Sequence, residues 1–164
     1  AMNKLVRDIL DILPDDSRSD TSQLAPMLHT DEAEVRSAVR NMENRGTIVK
    51  YTAIANLDEE EDECVEALIE VKIAPRSGSG FDGVAEEIAE HEEVKTLYLM
   101  SGAYDFLVIV KAGSIKSVAR FVSECISTFD CVLSTATHFI LKKYKIEGAL
   151  TVEKDKMRRL PVQA

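Results

Sequence analysis

The segment DEAEVRSAVRNMENRG, residues 31–46, decides how the first part of the chain folds. Its apolar residues recur at three- and four-residue spacing, so they share one side of a helix: Val35, Ala38, Val39 and Met42. Asp31 precedes them as an N-cap with Glu34 three residues later, which is the pattern of a capping box. Gly46 stands where a left-handed C-cap is favoured. The segment therefore predicts an amphipathic helix over residues 32–45.

Two shorter helices are predicted before this segment. Apolar residues at helical spacing predict the first between Leu5 and Leu13, and Pro14 ends it because its ring blocks the helical hydrogen-bond pattern. One of residues 19–21 caps a second, short helix, and residues 29–31 form a tight turn into the third. Residues 47–57 are rich in β-forming side chains and predict a strand or wing. The pattern as a whole predicts a winged helix-turn-helix.

The side of the third helix opposite its apolar residues carries hydrogen-bonding groups and no acid. Its polar members are Arg36, Ser37, Arg40, Asn41 and Asn44. Arginine and asparagine bond the edges of guanine and adenine in the major groove, and serine suits a base or a phosphate. Candidates for backbone phosphates follow: Arg45, Lys50 and Tyr51. We predict that this face reads double-stranded DNA; an ordinary solvated helix face is the alternative.

The acidic balance of the chain does not exclude a nucleic-acid partner, because the excess is local. The formal net charge is −9, yet residues 58–63, DEEEDE, supply six acids alone. Like charges in so short a run repel and favour a solvated linker. The predicted division is a winged helix-turn-helix over residues 2–57, this linker, a second domain over residues 64–147 and a polar tail over residues 148–164.

Several function classes find no support in the sequence. The three cysteines form no CxxC pair, the three histidines lack ligand spacing, and no nucleophile–base–acid set is visible. We therefore expect no enzyme activity, no metal and no cofactor. No apolar run approaches the roughly 20 residues of a spanning helix, and the N-terminus lacks an export signal. The expectation is a cytoplasmic protein without a membrane partner.

The pattern changes after the acidic run. Residues 65–73 alternate apolar and polar side chains as a half-buried strand does. Helical and strand-like stretches then follow in the order helix, strand, strand, helix, strand, the last strand covering about residues 131–144. The order βαββαβ is the ferredoxin-like arrangement, an antiparallel sheet with both helices on one face. The other face has to be covered, so we expect subunits to pair through it.

Four segments along nearly the whole chain resemble the leucine-responsive regulator/AsnC ("feast/famine") family of transcription regulators. They are ILDILPDDSRSDTSQLA at residues 9–25, VRSAVRNMENRGTIVKYTAI at 35–54, SGAYDFLV at 101–108 and VLSTATHFILKKYK at 132–145. They match the family's first helices, its recognition helix with the following strand, its turn between two sensor strands and its last strand. Their order and spacing make the resemblance strong.

The resemblance implies a dimer built on the sensor sheets, often assembled into an octamer, and an amino-acid-type effector. The effector residues that it implies are Ser101, Gly102, Tyr104, Asp105, Ser134, Thr135 and Thr137. The chemistry fits this role, since a glycine turn exposes backbone N–H groups to a carboxylate. Asp105 can receive an amino group, and a threonine hydroxyl can donate or accept. In the alternative interpretation Gly102 only makes the turn and Tyr104 packs.

The chain departs from the family's pattern around its third helix. His29 and Thr30 replace the usual glycine and apolar residue of the turn, and Asp31 and Glu32 replace the usual serine-proline start. Acids there would repel phosphates, so an effector-sensing module with weak or lost DNA binding is an alternative function. Sirohaem decarboxylases share the two-domain architecture, but they tend to carry histidine and arginine near residues 102–105, where this chain has Tyr-Asp.

Overall fold

A computed structural model describes residues 3–56, 64–74 and 81–152. The chain divides into two compact units, Ala1–Ala55 and Asn56–Ala164. The acidic run 58–63 and most of the predicted tail lie outside the described residues, and the predicted boundaries of the linker stay a prediction. Among the described residues, no helix is both long and apolar enough to cross a membrane.

The first unit is a three-helix helix-turn-helix. Its helices are α1 (Lys4–Ile12), α2 (Thr21–Met27) and α3 (Glu32–Asn44). Each contributes apolar residues to one small core: Ile9, Leu13, Leu24, Ala25, Val35 and Met42. The predicted helix after Asp31 is confirmed to within one residue, because its caps and its apolar spacing indicate the same segment. Gly46 adopts a φ of 68°, the left-handed geometry expected after the helix end.

The capping box lies on α2 instead of α3. The Asp20 carboxylate accepts from the Gln23 backbone N–H at 2.9 Å, and the Gln23 side chain accepts from the Asp20 backbone N–H. Asp31 does cap α3, accepting from the Ala33 N–H at 3.0 Å. Glu34, however, accepts from the Thr30 hydroxyl at 2.9 Å. The Thr30 hydroxyl, one residue before the cap, takes the place of the predicted backbone donor.

The strand or wing predicted over residues 47–57 is wrong for the residues that the structure describes. Residues 47–56 form no strand. A strand needs a neighbour for its backbone groups, and the described part of the first unit is otherwise helical. Val49 is 87% exposed and Ile54 is 42% exposed. The β-forming side chains therefore mark a segment without regular secondary structure, in which Val49 and Ile54 are exposed while Ile48 packs against the helical core.

The second unit has the predicted ferredoxin-like order. Its main elements are β1 (Val65–Ile73), α4 (Asp82–Ala89), β2 (Val94–Leu99), β3 (Phe106–Ala112), α5 (Ile115–Phe121) and β4 (Val132–Phe139). A π-helical turn, Val122–Ile126, extends α5. The four strands form one antiparallel sheet in the order β2-β3-β1-β4. The core includes sheet residues together with Ile88, Val118 and Phe121, so both helices pack on the same face.

The two faces of the sheet differ as strict alternation requires. Along β1, Ala67, Ile69, Val71 and Ile73 are buried on the helix side. The opposite face, called here the open face, carries half-buried apolar residues at its centre. They are Leu68, Leu107 and Ile109, with Tyr98 beside them on β2. On β4 the open face ends in His138, whose Nε2 lies 3.5 Å from the Glu70 carboxylate.

The last strand of the sheet is shorter than predicted, and the first residues of the predicted tail are part of a hairpin. β4 stops at Phe139, and a short hairpin follows, β5 (Lys145–Ile146) and β6 (Ala149–Leu150). Glu147 and Gly148 both have positive φ, the geometry of a tight hairpin turn. Thr151, just after β6, is buried. The first residues of the predicted tail are thus part of this hairpin, and the boundary of the tail stays a prediction.

Candidate DNA-binding face and effector turn

The structure exposes every residue that we predicted to contact DNA. Those residues are Arg36, Ser37, Arg40, Asn41, Asn44, Arg45, Lys50 and Tyr51. They lie on or after α3, which turns Val35 and Met42 into the core. Because α3 is the second helix of the helix-turn-helix, it is the helix that such a motif places in the major groove.

A groove of about 650 Å³ runs between the start of α1 and α3. Ser37, Asn41 and Arg45 line one side of it, and Leu5 and Val6 of α1 line the other. The predicted face therefore has two parts. Ser37, Asn41 and Arg45 line the groove opposite α1. The other predicted residues of the α3 face do not line it.

Arg36 is held by an acid of its own helix. Its Nη2 pairs with the Glu32 carboxylate one turn earlier. The same Glu32 oxygen, Oε1, accepts from the Thr21 hydroxyl of α2 at 3.3 Å. The spacing of Glu32 and Arg36, four residues with the acid first, favours such a pair on any helix. This pair was not predicted from the sequence, although the four-residue spacing is the signal that indicates it.

Tyr51 also meets an acid. Its hydroxyl donates to the Glu43 carboxylate at 2.9 Å. Partial burial, followed by this hydrogen bond and the negative charge of Glu43, raises the pKa of Tyr51 above its ordinary value of 10.0. The phenol therefore stays neutral and suits hydrogen bonding. A phosphate contact by Tyr51 requires this hydroxyl to leave Glu43 or to share its donor.

The predicted effector turn lies between β2 and β3. Ser101 and Gly102 are exposed, while Tyr104 and Asp105 are half-buried. Gly102 has a φ of 156°, and side chains rarely adopt that backbone conformation. Glycine is therefore required by the turn itself, whatever else the turn binds.

Asp105 joins the ends of three strands. Its N–H donates to the Val71 carbonyl at 3.0 Å, and its carbonyl accepts from Met100 at 2.8 Å. Its side-chain Oδ2 accepts from the Ile73 N–H at 2.8 Å, at the irregularity where β1 and β4 shift register. One carboxylate oxygen of Asp105 thus has a structural role that the sequence did not reveal.

The three β4 candidates divide between the two faces of the sheet. Thr135 lies opposite Val71 and Thr137 opposite Ile69, both on the helix side of the register. Ser134 lies opposite Lys72, on the open face. Asp105 and Thr135 flank the same end of β1, separated by two strand spacings, about 10 Å. The structure thus brings the turn and Thr135 to one end of the sheet and leaves Ser134 on the other face.

Within the described ranges, no three or more His, Cys, Asp or Glu side chains gather in a way that could hold a metal ion.

Comparison with known proteins places both units in one family. The family profile of the Lrp/AsnC ligand binding domain matches residues 66–150. An uncharacterised HTH-type transcriptional regulator of Bacillus subtilis, YugG, is 42% identical over 156 residues, 94% of each chain.

Solved structures show the same fold. The leucine response regulatory protein of Mycobacterium tuberculosis superposes with a TM-score of 0.73 at 23% identity, over 89% of this chain and 97% of that one. A transcriptional regulator of Neisseria meningitidis in complex with L-Met superposes with a TM-score of 0.68 at 19% identity, over 89% and 94%. These relatives are described as transcriptional regulators or regulatory proteins, so the comparisons give no support to a decarboxylase.

Proposed function

The chain belongs to the Lrp/AsnC family of transcriptional regulators, and from that premise we propose that it binds specific duplex DNA through α3 and responds to a small amino-acid-like effector through its second unit. As a regulator of transcription it would act where the chromosome lies, in the cytoplasm. The exposed face of α3 carries this proposal. It offers two arginines, a serine and two amides on the reading helix of a helix-turn-helix.

The proposed effector contacts lie around the turn 101–105 and β4. Exposed backbone at Ser101 and Gly102 suits a carboxylate, and the Asp105 carboxylate suits an amino group. Thr135 lies at the same end of the sheet, on the other side of β1. The Neisseria meningitidis relative is described in complex with L-Met, which supports an amino acid as the ligand class. An amino group at Asp105 would share a carboxylate that already accepts from Ile73.

The open face supports a dimer. Leu68, Leu107 and Ile109 form an apolar centre that a second copy would cover, with Tyr98 at its edge. A twofold dimer would also contain two copies of α3, as symmetric helix-turn-helix proteins do. We propose a dimer on this face, and an octamer of four such dimers as the family resemblance implies.

An effector module with weak or lost DNA binding is the second candidate. Two observations favour it: Glu32 and Glu34 lie in the first turn of α3, and Arg36 and Tyr51 are each engaged by an acid. Both acids of the first turn oppose phosphate contact, since the start of a helix otherwise attracts anions.

A paired measurement separates the two candidates. Gel shifts of the full chain on its own upstream DNA at low salt test DNA binding, and calorimetric titration with each of the twenty amino acids tests effector binding. A specific shift that weakens steeply with salt supports the regulator. No shift at low salt, together with a measured amino-acid affinity, would leave only the sensing module. If the gel shift and the amino-acid titrations both show no binding, the proposed function is wrong.

A further inference from the structure

A chain of three side chains connects α2 to the reading face of α3. Thr21 is the first residue of α2, and its hydroxyl donates to Glu32 Oε1 at 3.3 Å. The same oxygen pairs with Arg36 Nη2. The side chains of Glu32 and Arg36 are 42% and 58% exposed, so Glu32 is anchored on the helix-turn-helix while the guanidinium still faces solvent.

The anchoring changes what Arg36 can do. A guanidinium has five N–H donors in a planar fork, and one of its nitrogens is directed to Glu32. The pair favours one plane for the remaining edge among the many rotamers of a long side chain. A side chain that is already ordered loses less conformational freedom when it binds. Arg36 is also the fifth residue of α3, within the N-terminal part that contacts base edges in helix-turn-helix proteins.

The nearby acid also changes which partner Arg36 prefers. A carboxylate beside the guanidinium offsets its charge and repels a phosphate, which lowers the gain from backbone contact. Guanine, in contrast, presents two neutral acceptors, O6 and N7, that fit a planar pair of N–H donors. An arginine paired in this way is therefore poorly suited to phosphate and well suited to guanine.

We infer that Glu32 is a positioning residue that makes Arg36 a reader of one guanine in each half-site. This inference rests on the proposed DNA-binding function. It also gives a role to an acid that otherwise counts against DNA binding: Glu32 lowers affinity for DNA in general and raises discrimination at one base pair.

The competing view is that Glu32 only masks Arg36. Masking lowers affinity for every sequence by the same factor, whereas positioning affects the preference for one base. The two views therefore differ in the preference for one base and not in overall affinity for DNA. A purely structural role for Glu32 would leave the preference at a single base pair unchanged.

The test is selection from a random duplex library by the full chain, followed by anisotropy titrations on the selected site and on that site with single base substitutions. The variants are Glu32→Gln, Arg36→Ala and Arg36→Lys, with Glu34→Gln as the matched control. Glu34 is an acid of the same helical turn whose carboxylate accepts from Thr30 and not from an arginine. Thermal unfolding by circular dichroism confirms that each variant folds.

We expect the wild type to enrich a guanine that Arg36→Ala no longer selects. Glu32→Gln should lower discrimination at that base roughly tenfold, the size of one bidentate contact, while its affinity for unselected DNA rises. Glu34→Gln should raise the same general affinity and keep the preference. Arg36→Lys, which keeps the charge and loses the planar fork, should bind without the preference.

A double variant completes the test. In the Arg36→Ala background, Glu32→Gln should leave discrimination unchanged, because Glu32 acts through the arginine. If Glu32→Gln tightens binding to the selected and substituted sites by one common factor, Glu32 is a mask and the inference is wrong. If the wild-type chain enriches no sequence, specific DNA binding itself fails, which is a different result from enrichment with an unaltered preference in Glu32→Gln.

Discussion

Two candidate residues of the first unit have their functional groups bonded to acidic side chains, whereas the Asp105 carboxylate of the second unit is bonded to a backbone N–H. On α3, Arg36 meets Glu32, and the Tyr51 hydroxyl beyond the helix meets Glu43. In the sensor unit, Asp105 bonds the Ile73 N–H, and Thr135 sits within the ladder of β1 and β4.

This difference has energetic consequences. Exposed ion pairs contribute about 0 to 1 kcal/mol to folding stability, so they can be altered with little loss. A carboxylate that accepts from a backbone N–H contributes more, about 1.5 to 3 kcal/mol. The proposed recognition in the first unit would therefore be separable from folding, while the proposed effector contact of Asp105 would share its residue with the framework of the sheet.

Ile69→Ala should have the largest effect. Ile69 is fully buried at the centre of β1, between Val108 and Thr137. Removing a buried isoleucine side chain costs about 2 to 5 kcal/mol, which urea unfolding followed by circular dichroism would measure. The matched control is Leu68→Ala, the next residue, on the open face. It should cost much less in folding and should weaken self-association in sedimentation experiments. Equal losses of stability at both positions would contradict the two-faced sheet.

Asp105 comes next, because two substitutions separate its two roles. Asp105→Ala removes the acceptor for the Ile73 N–H and should cost about 1 to 3 kcal/mol of unfolding free energy. Asp105→Asn keeps an acceptor oxygen and should recover most of that stability, yet it loses the charge that an amino group would meet. Effector affinity by calorimetry should fall in both variants. Full affinity in Asp105→Asn would leave the residue a structural role alone.

The C-terminal hairpin tests whether backbone anchoring extends beyond the sheet. The Thr151 hydroxyl donates to the Lys143 carbonyl, its N–H donates to the Tyr144 carbonyl at 3.1 Å, and its carbonyl accepts from Asn56 Nδ2 at 2.7 Å. Thr151→Val keeps the shape and removes only the hydroxyl bond, so it should cost about 1 kcal/mol. Thr151→Ser, which keeps the hydroxyl and drops the methyl group, is the control in the same urea experiment. A valine variant as stable as the wild type would show that this bond is replaced by water.

Sequence patterns predicted the regular elements well, because caps and apolar spacing are local. Helix α3 is placed to within a residue by Asp31, its apolar stripe and Gly46. The alternation of β1 likewise predicted which of its residues are buried.

Features that depend on distant partners could not be predicted in this way. Residues 47–56 have strand propensity but pair with no strand among the described residues, so propensity alone gave a false strand. The role of Asp105 depends on Ile73, and the burial of Thr151 depends on a hairpin whose turn, Glu147–Gly148, carries no strong sequence signal. Although the pairing of Glu32 with Arg36 is itself local, the hydrogen bond from Thr21 to Glu32 joins residues eleven apart. Such pairings are decided by tertiary structure.

Tyr51 provides the test with the smallest expected effect, and it concerns the exposed candidate residues of the first unit. Tyr51→Phe removes its hydrogen bond to Glu43 and should change stability near neutral pH by less than about 1 kcal/mol. The raised pKa of Tyr51 has a consequence only in alkali. Since the folded state favours the neutral phenol, its contribution is present below the ordinary pKa and is lost as the pH rises beyond it. Stability should therefore fall less steeply above pH 10 in Tyr51→Phe than in the wild type.

Glu43→Gln should shift the pKa of Tyr51, measured by ultraviolet absorbance, back toward its ordinary value. An unchanged titration in Glu43→Gln would mean that burial alone raises this pKa and that the hydroxyl is available to DNA.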